Sequence, residues 1–388
     1  MGKSYDAATG GVMATIGLSM IVKDETAVIG RCLESVRPLV DFVLIVDTGS
    51  SDGTQDLIRR ELAAFGLLGE VIDEPWRDFA SNRTSAMERL RARRVVDYAL
   101  VIDADDELVF DKEFDAAAFK AAMRADLYDV GVRHGAITHA RPHISRLALP
   151  FRYRGVLHEF LEGPATPIRR ETAAGMHIRI GHGGARSRTA DKFRRDAATL
   201  EAALASEADP FLRTRYWFYL AQSWRDAGED ARALDAYQTR AEMGGWDEEV
   251  FWSLLNAARA AARLGHAPET VVALCERASA AVPGRAEAWH EAARACRLAG
   301  RHAEAVEHAE RGLALSLPAQ GLFLEPWIYR YGLLDEFAVS AYWTGRHAEA
   351  VKAGERLLDE GFLPAGERER VAANVALSRA LEAQEGGA

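Results

Sequence analysis

The segment 98–108, YALVIDADDEL, restricts the fold more than any other part of the chain. Its apolar start is typical of a strand buried on both faces of a parallel sheet. The acidic residues that follow are Asp103, Asp105, Asp106 and Glu107. If the strand continues, Asp103 and Asp105 point the same way. Carboxylates this close repel one another unless a cation lies between them, which favours a Mg²⁺ or Mn²⁺ site. The alternative is an acidic turn that caps the next segment.

The chain ahead of this segment alternates between predicted strands and predicted helices. Strands are expected at 15–22, 42–46 and 69–73, and helices at 26–36, 54–65 and 79–93. Such alternation predicts an α/β nucleotide-binding domain, whose ligand lies at the carboxyl ends of the strands. The loop 47–54, DTGSSDGT, follows one of these ends. Its glycines and short oxygen-bearing side chains would let the backbone approach a ligand closely.

Four segments of this region resemble family 2 glycosyltransferases with a GT-A (Rossmann-like) fold. They read LSMIVKDE, VDTGSSDGT, FASNRTSAM and VIDADDE, in that order along the chain. A lone Asp-x-Asp is a weak signal, whereas the ordered set is strong. The resemblance implies a nucleotide-sugar donor, with a UDP-sugar expected, and a Mn²⁺ or Mg²⁺ ion.

The resemblance also implies roles for single residues. Val22 and the pair Asp47-Thr48 would line the base and ribose, and Arg83 would hold the nucleotide end of the donor. Asp103 and Asp105 would form the Asp-x-Asp motif, touching the ribose and the metal on the diphosphate. Two further residues are included in the site: Asp24 among the donor-binding residues and Asp106 among the catalytic ones. Many family members have two acidic residues where this chain has Asp47-Thr48, so recognition of uracil by a second carboxylate is not expected to carry over.

The segment 153–159, YRGVLHE, resembles an aromatic–x–Gly–x–x–His–Glu segment that lies near the sugar in family 2 proteins with repeats. Glu159 is the predicted general base, which would take a proton from an acceptor hydroxyl or thiol, and His158 is included as catalytic. Adjacent residues on an extended strand point to opposite faces, so a kink or a helix start is needed for both to face one site. The alternative is a His-Glu pair that ties a loop to the domain.

The segment 176–184, MHIRIGHGG, resembles a family strand that ends in His-x-Gly-aromatic before a Lys-rich helix, although the aromatic residue is missing here. His182 is carried over as the third metal ligand, and Lys192 on the next helix as a donor-binding residue. Without the resemblance, His182 would be a loop residue with no role in ligation. His177 is expected to be structural.

From about residue 213 the sequence becomes rich in Ala and Leu, and four segments share one phase. Their turn glycines are Gly228, Gly265, Gly300 and Gly345, which are 37, 35 and 45 residues apart. A helix–turn–helix unit of about 34 residues is the tetratricopeptide pattern. The longest gap contains an aromatic-rich insertion around 318–333, expected to be core, a dimer contact or part of an acceptor groove.

The predicted organisation is therefore a disordered start (1–13), a GT-A domain (14–190) and a helical linker with tetratricopeptide-like repeats (191–388). Residues 1–190 carry 25 Lys and Arg against 27 Asp and Glu, and residues 191–388 carry 23 against 31. An acidic second half argues against broad DNA binding, which needs a basic surface. Three cysteines without metal-ligand spacing predict neither a disulfide framework nor a Cys-based metal site. The absence of a long apolar run favours a soluble, cytoplasmic protein without a membrane span.

The architecture resembles peptide S- and O-glycosyltransferases that modify bacteriocins. It implies inverting transfer from the donor to an acceptor, with a peptide or protein side chain preferred and a dimer through the repeats as a further expectation. Three alternatives stay open: transfer to a modified DNA base or a polysaccharide or lipid precursor, a nucleotidyltransferase, and a non-catalytic repeat scaffold. The acidic charge disfavours a DNA acceptor, but a local cluster of arginines (Arg89, Arg91, Arg93 and Arg94) keeps it open.

Overall fold

The computed structural model describes residues 13–134, 137–185 and 191–385. The chain divides into two compact units that meet in sequence at Lys192 and Phe193. The predicted disordered start lies almost entirely outside the described residues. No helix in the described ranges combines the length and the apolar character that crossing a membrane requires.

Among its described residues, the first unit contains a mixed sheet of eight strands, in the order β3-β2-β1-β4-β7-β6-β10-β5. The strands of this sheet are β1 (Ile16–Val22), β2 (Phe42–Asp47), β3 (Gly69–Asp73), β4 (Tyr98–Leu100), β5 (Glu107–Phe110), β6 (Leu127–His134), β7 (Ile137–Arg146) and β10 (Arg170–Arg179). A separate hairpin pairs β8 (Arg152–Arg154) with β9 (Phe160–Glu162). The helices are α1 (Ile29–Val36), α2 (Thr54–Phe65), α3 (Phe79–Arg93) and α4 (Ala116–Ala122).

The parallel part of the sheet, β3-β2-β1-β4, carries the predicted strand–helix alternation. All six residues of β2 are buried, as expected for a central strand covered on both faces. Gly17 of β1 lies against Val96 and Leu90, where an added Cβ would come within 2.8 Å of the valine methyl. This close approach lets α3 pack directly on the sheet.

The buried strand predicted in the apolar run is present as β4, whose three residues are all buried. The strand does not continue into the acidic residues, because β4 ends at Leu100 and β5 begins only at Glu107. Between them the chain turns, and the Asp106 amide donates to the Asp103 carbonyl at 3.1 Å. Asp103 and Asp105 therefore lie on a turn, where the alternation of strand side chains does not apply.

The second unit is helical throughout the residues described. Its α-helices are α5 (Lys192–Leu204), α6 (Pro210–Asp226), α7 (Asp230–Glu242), α8 (Asp247–Arg263), α9 (Pro268–Ala281), α10 (Glu287–Leu298), α11 (His302–Leu313), α12 (Leu333–Trp343), α13 (His347–Asp359) and α14 (Arg368–Glu385). Each predicted turn glycine lies between the two helices of a pair and has φ between 74° and 76°. A side chain is strained at such φ values, which explains glycine at all four turns. An α/β domain followed by tetratricopeptide-like repeats is the predicted fold class, which is confirmed.

The aromatic-rich insertion is part of the packed interior of the second unit. It ends in a π-helical turn, Ile328–Gly332, that leads into α12, and Ile328 is fully buried. The Tyr329 hydroxyl donates to Glu287 at 2.8 Å and accepts from the Ala286 amide at 3.0 Å. Of the three expectations for this segment, packing into the core describes these contacts.

Candidate functional site

The candidate site lies where the parallel strands end. β1 ends at Val22, β2 at Asp47 and β4 at Leu100, and β1 pairs in parallel with the other two. The loops that follow these strands are therefore brought to one edge of the sheet. This is the edge where ligands bind in open α/β sheets.

Asp47 organises the loop that follows β2. Its side chain is fully buried, and its Oδ1 accepts from the amides of Gly49 and Ser50 at 2.8 and 2.7 Å. Its Oδ2 is buried without a hydrogen-bond partner in the described residues. In this conformation the carboxylate stabilises the loop by accepting from its backbone amides. Direct contact of Asp47 with a nucleotide stays a prediction.

Thr48 and Val22 are joined to each other. The Thr48 amide and hydroxyl both donate to the Val22 carbonyl, at 2.9 and 3.0 Å, and both side chains are buried. These two residues were expected to line the base, but neither side chain is exposed in this structure. The predicted nucleotide contact rests on the glycine-rich loop that they hold in place.

Asp24 fastens the loop after β1 to the loop after β2. It has a φ of 56°, and its carboxylate accepts from the Ser51 amide at 2.7 Å. Its own amide donates to the Ser50 hydroxyl at 2.8 Å. Positive φ is uncommon for a residue with a side chain, and such strain persists where surrounding contacts fix it.

Asp106 is the buried member of the acidic turn. Its Oδ1 accepts from the Gly181 amide at 2.9 Å. Burial and the nearby charges of Asp103 and Asp105 raise the pKa of Asp106 to about 7. The hydrogen bond from the Gly181 amide acts in the opposite direction but is outweighed. Asp106 thus joins the acidic turn to the loop that carries His182, and its predicted catalytic role is untested.

Arg83 connects two of the predicted site residues. From α3 its Nη2 donates to Asp103 Oδ1 at 2.5 Å, and its Nε donates to Glu159 Oε1 at 2.6 Å. The Arg83 side chain is 10% exposed and that of Glu159 13%, whereas Asp103 is 55% exposed. The guanidinium also lies 5.9 Å from the ring of Tyr153. The predicted base and the first motif carboxylate are therefore held by one cation.

The connection between β8 and β9 contains the kink that the sequence required. Gly155 has a φ of 102° and His158 a φ of 51°, so residues 155–159 are not an extended strand. His158 is exposed, while Glu159 turns towards Arg83. The structure thus brings Glu159 to the acidic turn and leaves the role of His158 a prediction.

The loop with His182 is held on three carboxylates. The amides of Gly181, Gly184 and Ala185 donate to Asp106, Asp105 and Glu25, at 2.9, 3.1 and 3.2 Å. A Cβ on Gly181 would come within 1.8 Å of the Asp105 carbonyl oxygen. The glycines therefore allow the close approach, which places His182 next to the acidic turn.

The described residues contain no group of three or more His, Cys, Asp or Glu side chains arranged to hold a metal. Asp103, Asp105 and His182 do not form such a group in this arrangement. Asp103 and Asp105 still fit a Mg²⁺ or Mn²⁺ ion, because Mg²⁺ is usually held by one or two carboxylates together with waters and substrate phosphates. Metal ligation stays a prediction for all three residues.

Lys192 is the first residue of α5 and is half-buried. Residues 186–190, which precede it, lie outside the described ranges.

Sequence reasoning missed the side chains that β7 and α1 bring to the site. β7 runs antiparallel to β4, and the Val101 amide donates to the His143 carbonyl at 2.9 Å. The His143 Nδ1 lies 2.7 Å from the Val101 carbonyl, which accepts only, so Nδ1 carries the proton. Arg31 of α1 donates to the Asp105 carbonyl at 3.0 Å and pairs with Glu107. The apolar helical pattern of α1 predicted the helix but not this contact.

Comparison with known families identifies part of the chain. Residues 19–193 match the model described as glycosyl transferase family 2. Three curated relatives are similar to shorter segments. A TPR repeat-containing protein of Synechococcus elongatus is 38% identical over 103 residues (26% of this chain and 23% of the relative). A glycosyltransferase of Rickettsia felis is 31% identical over 139 residues (36% and 46%). The lipopolysaccharide core biosynthesis glycosyltransferase LpsC of Rhizobium meliloti is 35% identical over 89 residues (23% and 31%).

The chain thus spans less than half the length of each of these relatives. Among solved structures it is similar to S. aureus TarS 1-349 in complex with UDP-GlcNAc, at 14% identity and a TM-score of 0.39. That match covers 66% of this chain and 90% of the other.

Proposed function

We propose that residues 19–193, which match the glycosyl transferase family 2 model, transfer a sugar from a nucleotide-sugar donor to a nucleophilic group on an acceptor. The donor class follows from the family. The UDP-sugar, the metal requirement, the inverting course and the acceptor are parts of the proposal. The observation that carries it is the bridge made by Arg83 between Asp103 and Glu159 at the carboxyl edge of the sheet.

The bridge supports the proposal because it joins two groups for which the family resemblance implies different functions. Asp103 is the more exposed carboxylate and lies in the turn that the family motif assigns to the donor. Glu159 is held by the same guanidinium but is supplied by the connection between β8 and β9. The family motif assigns Asp103 to the donor and the Glu159 segment to the neighbourhood of the sugar. A sugar bound at this edge would thus have Asp103 on its nucleotide side and Glu159 on its acceptor side.

In the proposed reaction, the acceptor O–H or S–H attacks the anomeric carbon of the donor sugar. The bond between that carbon and the diphosphate oxygen breaks, and the electron pair leaves with the nucleoside diphosphate. Glu159 takes the acceptor proton, for which it must be ionised beforehand. The Arg83 ion pair holds one oxygen of Glu159 at 2.6 Å from the guanidinium and so orients the carboxylate.

A divalent cation would be held by Asp103 and Asp105, with His182 as a further candidate. Bound there, it would supply positive charge to the departing diphosphate. The chain's own contribution is to fix Asp105 by the Gly184 amide and by close packing of the glycine loop. Asp106 holds the other end of the same loop.

A peptide or protein side chain is the proposed acceptor, on the grounds of the tetratricopeptide-like unit and the resemblance to peptide glycosyltransferases. A saccharide acceptor is the second candidate. It is favoured by the similarity of part of the chain to a lipopolysaccharide core biosynthesis glycosyltransferase.

The proposal is tested by calorimetric titration of UDP into the whole chain, with and without Mn²⁺. We expect binding that depends on Mn²⁺ and that Asp105→Ala abolishes. The control is Asp56→Ala, which removes an exposed carboxylate that pairs with Arg59 within α2 and should bind UDP normally. Failure of UDP to bind in the presence of metal would contradict the UDP donor. Failure of GDP, dTDP and CDP as well would contradict the transferase proposal.

A further inference from the structure

A cavity in the helical unit is lined by aromatic, aliphatic and charged side chains. It lies among α5, α6 and α7, all within the second unit, and has a volume of about 490 Å³. Pockets for small molecules in proteins span roughly 300–1,000 Å³. The cavity is therefore large enough for a ligand and is separate from the strand-edge site in sequence and in domain.

One wall of the cavity is a single face of α6. Arg213, Trp217, Leu220 and Trp224 line it at intervals of four, three and four residues, which is the spacing of one helix face. Trp224 is 5% exposed, and the Arg232 guanidinium lies 4.4 Å from its ring. Trp217 is half-buried and forms no hydrogen bond or ring contact within the described ranges. It is the aromatic side chain in this wall that a ligand could still cover.

The charged side chains of the cavity differ in whether they have hydrogen-bond partners within the protein. Arg213 donates to the carbonyls of Leu204 and Glu207, both at 3.0 Å. In contrast, neither Glu201 nor Asp235 makes an ion pair or side-chain hydrogen bond with a described residue.

Glu201 and Asp235 are both exposed. Three other carboxylates near the turn between α6 and α7, those of Asp226, Glu229 and Asp230, are paired with arginines at 2.7 to 2.8 Å. The two carboxylates of the cavity are therefore available as acceptors for a ligand.

We propose that this cavity binds a neutral saccharide. The C–H face of a pyranose ring is apolar and packs on an aromatic ring, while its hydroxyls donate to carboxylates in charge-assisted hydrogen bonds. Two carboxylates and two guanidinium groups line the cavity, so its charges balance and a neutral ligand with many hydroxyls fits better than an ion. In this assignment Trp217 stacks on the sugar, Glu201 and Asp235 accept from its hydroxyls, and Arg232 donates at the rim.

The inference concerns binding alone, and its test is independent of the proposed transfer reaction. Maltose, cellobiose and chitobiose are titrated separately into the full chain without donor, with calorimetry and tryptophan fluorescence as readouts. We expect at least one disaccharide to bind. Trp217→Ala should weaken that binding by about tenfold, the value of one stacking contact, and Asp235→Asn should weaken it as well. Trp217→Phe keeps a ring and should retain most of the affinity.

The matched control is Trp246→Ala, which removes a tryptophan that is 56% exposed elsewhere in the same unit. It should bind the disaccharide as the parent does. UDP binding measured in the same samples should be unchanged in all four variants, which separates this site from the strand-edge site. Lack of binding by all three disaccharides, or equal binding by parent and Trp217→Ala, would overturn the proposal. Binding of an unglycosylated peptide in this cavity, with no binding of any of the three disaccharides, would overturn the proposal in favour of a peptide groove.

Discussion

Each unit of the chain contains an arginine held between two carboxylates, and the two arrangements differ in one respect. In the first unit Arg83 pairs with Asp103 and Glu159. In the second unit Arg285 pairs with Glu248 at 2.6 Å and with Glu287 at 2.7 Å. The second arrangement is closed to solvent at its centre, whereas the first is open at Asp103.

The closed arrangement satisfies its polar groups within the protein. Arg285 is 1% exposed and Glu287 is fully buried. Arg285 also donates to the Leu322 carbonyl at 2.7 Å, and Glu287 accepts from the Tyr329 hydroxyl at 2.8 Å. The network thus fastens the aromatic-rich insertion to the start of α10. Its function is to hold the chain together.

The open arrangement leaves one carboxylate available. Asp103 is 55% exposed although Arg83 and Glu159 are nearly buried. A ligand can therefore reach Asp103 without breaking the rest of the network. The comparison indicates that exposure of one partner, rather than the presence of an arginine and two carboxylates, distinguishes a candidate site from a structural ion pair.

The largest effect is expected from opening the closed arrangement. Arg285→Met leaves Glu287 charged and buried without its cation, so the unfolding free energy of the helical unit should fall by about 3–5 kcal/mol. Urea unfolding followed by tryptophan fluorescence measures this, because seven of the eight tryptophans lie in that unit. UDP binding of the folded variant should be unchanged.

Two further variants test whether burial causes the loss. Arg263→Met breaks a pair with Asp230 that is 46% and 23% exposed, and should cost less than about 1 kcal/mol. The double variant Arg285→Met with Glu287→Leu should recover part of the stability, because no buried charge is left unpaired at that position. A loss with Arg263→Met as large as with Arg285→Met would remove the distinction between closed and open networks.

In the open arrangement the effect should appear in activity rather than in stability. Asp103→Asn should lower the transfer rate about 10²–10³-fold, the range for removal of one group that stabilises the transition state. The unfolding free energy should change by less than about 1 kcal/mol, because the carboxylate is half-exposed. Sugar transfer and urea unfolding are measured on the same preparation.

The matched control for Asp103→Asn is Glu70→Gln. Glu70, which is 37% exposed, also pairs with an arginine, Arg93, at 2.6 Å, but it lies on β3 away from the carboxyl ends of the strands. Its rate should equal that of the parent. Equal rate losses in the two variants would contradict the assignment of the site to the strand edge.

The sequence predicted the elements of the first unit well because their patterns are local. Apolar runs and flanking glycines indicated β1, β2 and β3, and the predicted bounds of α2, α3 and β3 agree with the structure. The phase of the four turn glycines indicated the helical pairs of the second unit in the same way.

What the sequence could not supply depends on pairing between distant segments. The short β4 and the turn at Asp103 are set by the antiparallel β7, which also brings His143 to the site. The burial of Asp47 under its own loop follows from two backbone hydrogen bonds that no spacing rule indicates. The Arg83–Glu159 ion pair joins residues 76 positions apart. Such contacts join segments that are distant in sequence, so no local sequence pattern indicates them.

The smallest expected effect is a loss of stability at low pH. It again involves α10, the helix that begins at Glu287 of the closed arrangement. His290 of α10 is buried, and its ring lies edge-to-face with that of Trp327 of the insertion, with the two ring centroids 5.0 Å apart. Burial, aided by nearby arginines, lowers the pKa of His290 from 6.5 to about 3. The ring is therefore neutral in the folded chain and takes up a proton on unfolding below pH 6.5. A depressed histidine pKa stabilises the fold above 6.5, and this contribution is lost as pH falls from 6.5 towards 3.

The loss amounts to about 1.4 kcal/mol per pH unit in that range, or about 2 kcal/mol at pH 5. Urea unfolding of the helical unit at pH 7 and pH 5 measures it, and the quantity compared is the difference between His290→Phe and the parent. The phenylalanine keeps the contact with Trp327 but cannot be protonated, so His290→Phe should lose about 2 kcal/mol less than the parent between the two pH values. His266→Phe, at an exposed turn, should behave as the parent. Identical pH dependence of His290→Phe and the parent would show that the ring is hydrated in solution, and that the region around α10 is more open than the Arg285 network indicates.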